Sequence, residues 1–421
     1  MRRFGLLLII GAMLAVSCSQ QGKINKYNMA STYVEHFPGR LLQEQIYHQN
    51  DSLSDLNIRI DASKIPGLKS QQLDIYSLMR VNYAVYSSLN KKDIVQSDSY
   101  KLSDIIAFDK LNAGAVVLRV PLHLLQGKNY IISISIVDPV NKKNFRKLLR
   151  ITKNNDSPEN YKIVDEKGDL IWHSWIKPQQ KIKIVYRYPA TKIIYISYLK
   201  PKFPPARPPY SEDSRMAINP KVFDRFQIEL NQGVSSIYQL PYEGVYKVHA
   251  KENNLGGKLL VQYYSEYPRL NNAQKVFVLR YLNNKKEFNQ MLKDDVIHSI
   301  QEFWFFEGRS KERSIEMMNT YYARALRANE LFSSYKEGWK TDRGMIFMIY
   351  GPADYVYYQG DKEVWEYGSE ADQNDFKFEF IIQSTPLINQ EYILYRDEAF
   401  KDSWYAAVEN WRNGADMMKE E

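Results

Sequence analysis

The spacing of apolar residues changes character about two thirds of the way along the chain. From about residue 41 to 270, apolar and polar residues alternate in short runs, as in Leu56 to Ile60 and Tyr130 to Ile136. Alternation with period two is typical of strands that bury one face. Pro121 interrupts one such run, which predicts an edge strand or a bend there. The pattern predicts two immunoglobulin-like β-sandwich modules, over residues 41–157 and 158–270.

A proline-rich segment lies inside the second predicted module. Five prolines fall between Pro201 and Pro209, after the predicted strand 192–199 and before the predicted strands 226–230 and 236–240. Such a segment is rigid and extended. We interpret it as a crossover between sheets, and the alternative is an arm that docks into an aromatic groove.

Helical spacing replaces the alternation after about residue 271. The stretch 288–306 carries apolar residues at helical intervals, and a longer helix is predicted with one face formed by Ile315, Met318, Tyr322, Ala325, Asn329 and Phe332. Asn329 is the polar exception on that face. A buried amide needs hydrogen-bond partners, so we expect Asn329 to bond the loop around Trp339.

The remaining C-terminal patterns predict strands and one more helix. The nearly continuous apolar run 344–350 indicates a central strand covered on both faces, and Gly351-Pro352 would end it. Alternation at 363–367 and 376–382 predicts antiparallel strands, and 402–411 predicts a closing amphipathic helix. Two helices, a meander and a helix together predict an α+β domain over residues 271–421.

The link between the long helix and the apolar run has an unusual composition, Gly338-Trp-Lys-Thr-Asp-Arg-Gly344. Gly338 is predicted to cap the helix with a positive φ, and Thr341 and Asp342 are suited to accept backbone N–H groups. Arg343 is expected to pair with Asp342 or with a later carboxylate. Two interpretations stay open. The stretch is a turn pinned by one large indole, or Trp339, Asp342 and Arg343 form a recognition spot for a partner or a glycan.

These residues resemble the signature of the GWxTD family, a bacterial family found largely in envelope lipoproteins and without an established reaction. The preceding helix and the following Gly-Pro turn are similar to the family as well, although Ala353 stands where the family has a second proline. The resemblance and the turn chemistry together give candidate recognition or structural positions: Gly338, Trp339, Thr341, Asp342, Arg343, Gly351, Pro352, Asp354 and Trp365, with Tyr322, Arg324 and Asn329 on the supporting helix.

The N-terminus has the pattern of an export signal. Met1-Arg-Arg3 precedes an apolar stretch that is too short to span a membrane, and small residues lead up to Cys18, the single cysteine of the chain. This arrangement resembles a lipobox, which implies a signal peptide over 1–17, lipidation of Cys18 and a tether over 18–40. No acidic run follows Cys18, which favours the periplasmic side of the outer membrane over the cell surface.

Composition and motifs narrow the possible functions. The charge of +8 is spread over the chain rather than gathered in a stripe, and no nucleic-acid-binding motif occurs. The sequence lacks His-Glu-x-x-His, Gly-x-Ser-x-Gly and Walker patterns, so we assign no catalytic residue, metal or cofactor. Asp342 with Glu363 or Glu366 would be the best carboxylate pair for acid–base chemistry.

The sequence therefore favours a non-enzymatic outer-membrane lipoprotein that acts as a scaffold or interaction module with other envelope proteins. In that hypothesis, the two sandwiches hold the C-terminal domain away from the membrane. The alternative is a glycan- or peptide-binding envelope protein, with hydrolysis as one variant, whose site surrounds the Gly-Trp-Lys-Thr-Asp turn.

Overall fold

The computed structural model describes residues 27–34, 42–61, 78–105, 115–138, 143–199, 203–212, 220–252, 254–368 and 376–414. Cys18, the predicted signal peptide and a strand that the sequence predicts near 73–75 lie outside these residues. The described chain is mainly β in its N-terminal half and combines helices with antiparallel strands in its C-terminal part, as predicted. Among the described residues, no helix is both long enough and apolar enough to cross a bilayer.

Two sheets packed face to face form the first module. Its strands are β1 (Leu42–His48), β2 (Leu53–Asp61), β3 (Arg80–Tyr86), β4 (Ile94–Lys101), β5 (Ala115–His123), β6 (Lys128–Asp138) and β7 (Lys143–Lys153). One sheet has the order β1-β2-β5 and the other β4-β3-β6-β7, which is a seven-stranded immunoglobulin-like arrangement. Alternate residues of β2 and β6 face each other in one core, which includes the fully buried Ile58 and Ile132. Pro121 lies on β5, an edge strand, as its missing N–H requires.

The second module is one continuous sheet that folds over its own core. It contains β8 (Tyr161–Val164), β9 (Trp175–Ile176), β10 (Lys183–Tyr186), β11 (Ile193–Leu199), β12 (Val222–Asn231), β13 (Val234–Ser235), β14 (Gly244–His249) and β15 (Lys258–Gln262). The strand order is β8-β10-β13-β12-β11-β14-β15-β9, and side chains from both halves, such as Tyr161 and Leu260, meet in one cluster. The strand predicted over 236–240 is wrong, because only Tyr238 pairs there, through a single bridge to Ile182.

The proline-rich segment connects β11 to β12, which are antiparallel neighbours in the same sheet, so the predicted crossover between sheets is wrong and the segment is a long loop between adjacent strands. It also docks on the C-terminal module. The Ala206 N–H donates to the Lys340 carbonyl at 3.0 Å, and the Phe203 ring lies 4.3 Å from the Tyr335 ring. This proline-rich loop therefore joins the second sandwich directly to the Gly338–Gly344 stretch.

Six helices of the C-terminal module surround a meander. They are α1 (Asn272–Val278), α2 (Lys285–Met291), α3 (Val296–Gly308), α4 (Lys311–Phe332), α5 (Asp342–Tyr350) and α6 (Lys401–Arg412). The meander is antiparallel, with β16 (Tyr355–Gln359), β17 (Lys362–Tyr367), β18 (Phe376–Gln383) and β19 (Glu391–Leu394) in sequential order. The predicted helix over 288–306 is two helices, because Asp295 caps the start of α3.

The strand predicted over 344–350 is wrong, because these residues form the buried helix α5. Thr341 is its N-cap, with its hydroxyl accepting the Gly344 N–H at 3.0 Å. Helix α5 buries six consecutive residues, from Gly344 to Ile349. A fully buried helix and a buried strand have the same continuous apolar pattern, so the pattern alone did not separate them.

The buried face of α4 is rotated relative to the predicted one. Met317, Tyr321 and Ala328 are fully buried, whereas Ile315 is 45% exposed. Asn329 and Phe332 remain inside, as predicted. The large residues of α4 thus pack against Trp304 on one side and Trp411 on the other.

Residues Asn28–Tyr33, which the sequence assigns to a tether, pack between the first and third modules. We call this segment the N-terminal strap. The Met29 N–H donates to the Val356 carbonyl at 2.8 Å on edge strand β16, and the Thr32 hydroxyl donates to the Arg146 carbonyl at 3.1 Å on β7. Met29, Ala30 and Tyr33 belong to the same apolar core as α4 and α5. Burial of apolar surface holds the strap in place, because burying the side chains of Met29 and Tyr33 contributes more free energy than burying polar side chains would.

Candidate functional site

The Gly338–Gly344 stretch forms a tight turn that starts a helix. Gly338–Lys340 make one 3-10 turn, and the Thr341 hydroxyl donates to the Gly338 carbonyl at 2.7 Å while accepting from the Gly344 N–H. Thr341 thereby closes the turn and caps α5 with one side chain.

Close packing, rather than a positive φ, explains the two glycines of this stretch. Helix α4 already ends at Phe332, so Gly338 is not its cap, which corrects the sequence prediction. A Cβ on Gly338 would lie 2.0 Å from the Ala328 carbonyl oxygen, and one on Gly344 would lie 1.9 Å from the Gly338 carbonyl oxygen. Both distances are far inside van der Waals contact. A side chain at 338 would push the turn away from α4, and a side chain at 344 would push the start of α5 away from the turn.

Trp339 is fully buried beneath this turn. The Trp339 N–H donates to Asn329 Oδ1 at 3.2 Å, which confirms the expected bond from Asn329 to the loop. The other end of the Asn329 amide donates to the Pro268 carbonyl at 2.9 Å. The Tyr281 hydroxyl donates to the Trp339 carbonyl at 2.9 Å. The indole thus lies in the module core, and hydrogen bonds to the N–H and the carbonyl of Trp339 hold its backbone in position.

Asp342 is bound to the last strand of the meander. Its Oδ1 lies 2.6 Å from Arg396 Nη2, and its Oδ2 accepts the Leu394 N–H at 2.8 Å. Both side chains of the ion pair are nearly buried. Of the two partners expected for Arg343, Asp342 is therefore wrong, because Asp342 pairs with Arg396, and the later carboxylate is confirmed, because Arg343 pairs with Glu363. Asp342 and Glu363 also lie in separate ionic pairs, which gives no support to an acid–base pair between them.

Arg343, the next residue of α5, joins a cluster of buried residues around the strap. Its Nη1 lies 3.4 Å from Glu363 Oε1 and 3.4 Å from the Tyr33 hydroxyl. Glu363 is 1% exposed and also accepts from the Tyr33 hydroxyl at 3.0 Å and from Trp365 Nε1 at 2.8 Å. The guanidinium lies 3.4 Å above the Tyr392 ring, which provides a cation–π contact.

Electrostatics keep this cluster charged although it is buried. Burial, the largest effect, raises the pKa of the Tyr33 hydroxyl well above its usual value, and the Glu363 carboxylate raises it further, so Tyr33 stays a neutral donor. Burial alone would lower the pKa of Arg343, but the Glu363 carboxylate and nearby tyrosine hydroxyls raise it above its usual value. Arg343 therefore remains a cation that holds Glu363 in place.

The other candidate positions have structural contacts as well. Gly351 ends α5 with φ +79°, where glycine is favoured, and its carbonyl accepts the Tyr367 hydroxyl at 2.9 Å. Pro352 follows it, and Asp354 Oδ2 accepts the Gly368 N–H at 2.8 Å. Trp365 is fully buried and lies 4.9 Å from the Tyr33 ring.

On the supporting helix α4, Arg324 and Tyr322 also bond within the module. The Arg324 guanidinium lies 4.6 Å from the Trp411 ring. The Tyr322 hydroxyl accepts from Trp304 Nε1 and donates to the Lys275 carbonyl, both at 3.3 Å. No set of three metal-ligating side chains comes together in the part of the chain that the structure describes.

Sequence reasoning missed Tyr33 and Arg396. Tyr33 comes from a stretch taken as a tether, yet its bond to Glu363 joins residues 330 positions apart. Arg396 follows β19 directly, in a stretch to which no role was given. The available indication for Tyr33 was the presence of several aromatic and apolar residues, including Tyr27, Met29 and Phe37, in the segment taken as a tether. The sequence contains no local indication for Arg396.

Comparison with solved structures gives distant similarities. A structure titled biofilm associated protein, BSP domain, is 12% identical over 54% of this chain and 30% of its own length, with a TM-score of 0.23. The C-terminal domain of the Streptococcus agalactiae AgI/II polypeptide BspA is 7% identical over 52% of this chain and 95% of its own, with a TM-score of 0.19. Trypsin-activated alpha-2-macroglobulin from Escherichia coli is 15% identical over 54% of this chain and 16% of its own, with a TM-score of 0.19. At these TM-scores, none of them carries an argument about this chain.

Comparison at the level of sequence is more direct. No curated protein matches the chain. The family model of the GWxTD domain matches residues 244–413, which include the last two antiparallel strands of the second sandwich as well as the whole helical and meander region. The model thus begins before the boundary at 271 that the sequence suggests, in agreement with the packing of β14 and β15 against Tyr335 and Leu387. With its signature turn at Gly338–Asp342, this chain is a GWxTD domain-containing protein.

Proposed function

We propose that this chain is a lipid-anchored protein of the bacterial outer membrane, facing the periplasm, that acts as a non-enzymatic scaffold or interaction module for other envelope proteins. In this proposal, Cys18 carries the lipid and the GWxTD domain is the hub that holds the sandwiches and the N-terminal strap together. The export pattern before Cys18 supports the anchor.

One observation supports the hub role above the others: the polar groups of the signature bond inward. Trp339 is fully buried, and Asp342 is bound by Arg396 and by the Leu394 amide. A recognition spot or catalytic centre at the turn would need these groups free to meet a ligand. Because these groups are buried or bonded within the domain, we infer that the signature fixes the arrangement of the modules and that partners bind other surfaces.

Two measurements on the membrane-embedded protein test this proposal. Mass spectrometry of the N-terminal peptide should find an acylated Cys18, and the Cys18→Ser variant should leave the membrane fraction. An affinity-tagged wild-type protein, purified from detergent-solubilised envelopes after crosslinking, should carry a partner with it. Recovery of the protein alone, together with an unmodified Cys18, would contradict both halves of the proposal.

The alternative function, binding of a glycan or peptide, is favoured by a different observation. Arg343, the signature residue that points away from the turn, lines a cavity between the three modules. The candidate ligand site thus lies beside the strap rather than at Trp339.

A further inference from the structure

A cavity of about 730 Å³ lies where the three modules meet. Each module contributes part of its wall: Gln43 and Gln45 come from β1, Trp172 and His173 from the loop before β9, and Tyr392 from β19. Its volume lies within the range of roughly 300–1,000 Å³ that is typical of ligand sites, which often occur at domain interfaces. The cavity exists only when the three modules are assembled.

The charged side chains on the cavity wall nearly balance, because six basic and five acidic residues line it, and three ion pairs join six of them. Lys147 Nζ lies 2.5 Å from Glu44 Oε1, and Arg327 Nη1 lies 3.2 Å from Glu330 Oε2. Arg343 and Glu363 form a third pair at 3.4 Å. A ligand with a strong net charge would have to compete with these pairs, so the wall favours an uncharged ligand that exchanges hydrogen bonds with it.

Amide and hydroxyl groups supply those hydrogen bonds. Gln43, Gln390 and Tyr392 lie on the wall and are only partly buried. Gln43 Oε1 accepts from Arg59 and Gln390 Nε2 donates to the Arg150 carbonyl, so Gln43 Nε2 and Gln390 Oε1 are the amide atoms offered to a ligand. The Tyr392 hydroxyl shares one hydrogen bond with Tyr358 and can make a second. Arg343 uses only Nη1 for its hydrogen bonds within the described chain, so its remaining N–H groups are donors for a ligand. A wall that offers both hydrogen-bond donors and acceptors suits a ligand with hydroxyl groups, because each hydroxyl can donate and accept a hydrogen bond.

Aromatic faces complete the match to a sugar. The His173 and Trp175 rings stack at 3.5 Å, and the half-buried Trp172 next to them has no ring partner in the described part of the chain. An indole face packs well against the apolar C–H face of a pyranose ring, while the ring hydroxyls point sideways to polar groups.

The same wall is less suited to a peptide, because its strand edges are covered. The Gln45 side chain donates to the Ile171 carbonyl, which brings the second module against edge strand β1. The Gln390 side chain donates to the Arg150 carbonyl at 2.7 Å, on edge strand β7. An added peptide strand needs an open edge, so these contacts favour recognition by side chains.

We propose that the junction cavity binds a short neutral oligosaccharide, with Trp172 as the stacking platform and Arg343, Gln390 and Tyr392 as hydroxyl-binding groups. We assign the cavity a binding role only: Glu363, a carboxylate on its wall, is already bonded by Arg343, Tyr33 and Trp365. Bound sugar would contact all three modules at once and would stabilise their assembled arrangement.

Titration calorimetry on the purified full chain in detergent tests the proposal. The probes are chitotriose and maltotriose, two neutral trisaccharides, with trialanine as the peptide probe. We expect saturable binding of a trisaccharide with a Kd near about 1 mM or below and no binding of trialanine. Absence of saturation for both trisaccharides, or saturation by trialanine instead, would overturn the proposal.

Variants locate the site. Trp172→Ala should weaken trisaccharide binding by about tenfold or more, and Trp172→Phe should restore most of the affinity because it keeps an aromatic face. Phe306→Ala, which removes an aromatic side chain that is 76% exposed on α3, is the matched control and should bind as the wild type does. Equal affinity in Trp172→Ala and wild type would place any binding elsewhere and overturn the assignment. A thermal melt confirms that each variant is folded. These results are independent of lipidation and of partner capture, so the two proposals fail separately.

Discussion

Asp342 and Arg396, which are 54 residues apart in the sequence, form the ion pair that closes the signature turn against the end of the meander. Nη2 of Arg396 lies 2.6 Å from Oδ1 of Asp342, and the neighbouring Leu394 N–H donates to Oδ2 at 2.8 Å. The start of α5 is thereby tied to the end of β19. The carboxylate of the turn thus serves as a bridge between helix and sheet rather than as an exposed reactive group.

Asp342→Ala should lower the free energy of unfolding of the C-terminal module by about 3–5 kcal/mol, because Arg396 would be left buried without its partner. Denaturant unfolding followed by tryptophan fluorescence measures the change. Glu398→Ala, which removes the partner of Lys401 at the surface, is the control and should change stability by less than about 1 kcal/mol. A small effect of Asp342→Ala would contradict the bridging role.

Trp339→Ala should cost about 3–5 kcal/mol of stability, since it empties a fully buried indole site. Trp339→Phe should cost less, because it retains part of the ring volume. Phe306→Ala, at an exposed position, should stay within about 0.5 kcal/mol of the wild type. Differential scanning calorimetry compares the three variants, and an unchanged melt for Trp339→Ala would show that the indole has a role other than packing.

Gly338→Ala should destabilise by about 3 kcal/mol or more, because its Cβ would lie 2.0 Å from the Ala328 carbonyl oxygen. Gly360→Ala provides the comparison: its surroundings are empty within 4 Å, and only its φ of +63° opposes a side chain. That variant should cost about 1–2 kcal/mol. Equal costs in urea unfolding would mean that close packing is not the reason for glycine at 338.

Tyr33→Phe should cost about 1–3 kcal/mol, because it removes a donor from the buried Glu363 carboxylate. It should also speed proteolytic cleavage within the strap, which can be followed by mass spectrometry of the released N-terminal peptide. The control is Tyr405→Phe, which removes the hydroxyl that accepts from Tyr210 at an exposed site. Cleavage at the wild-type rate in Tyr33→Phe would show that the hydroxyl does not hold the strap.

His48 should make the first module sensitive to acid. Burial, with Lys153 and Arg187 nearby, lowers the pKa of the His48 ring to about 3. An unfolded histidine has a pKa near about 6.5, so between these values the unfolded chain binds a proton that the folded chain does not. The free energy of unfolding should therefore fall by about 1.4 kcal/mol per pH unit below pH ~6.5 and stop falling near pH ~3.

His48→Gln tests this assignment, because it removes the titrating group. The variant should be less stable than the wild type near neutral pH, where it loses the bond to Ser54, but should lose less stability on acidification. The comparison also cancels the contribution of His173, which is present in both proteins. Parallel slopes of stability against pH for the two proteins would contradict the assignment.

The sequence predicted most of the strands because alternation directly reflects one-sided burial. It also located Asn329 correctly, since a single amide on an apolar face has to find partners nearby. It was wrong about 344–350, because continuous burial removes the periodicity that separates a helix from a strand. The Thr341 cap and Asp342 in the first turn were the local evidence for a helix there.

Long-range contacts account for most of what the sequence could not show about the site. The bonds from Tyr33 to Glu363 and from Arg396 to Asp342 depend on how modules and elements come together in three dimensions. The role of Gly338 was also hidden, because a glycine required by a neighbouring helix resembles a glycine required by its own φ. Pattern analysis describes each element separately, and the junction cavity belongs to none of them.

If Cys18 carries a lipid, the N-terminal strap limits the distance between the protein and the membrane. Tyr27 is nine positions after Cys18, and a fully extended chain of that length reaches about 30 Å. Because the strap packs against the GWxTD domain, a lipid on Cys18 would hold this domain close to the bilayer. The two sandwiches would then not separate the GWxTD domain from the membrane. The protein would then be attached near its middle by a short tether, and its partners would have to bind it close to the lipid headgroups.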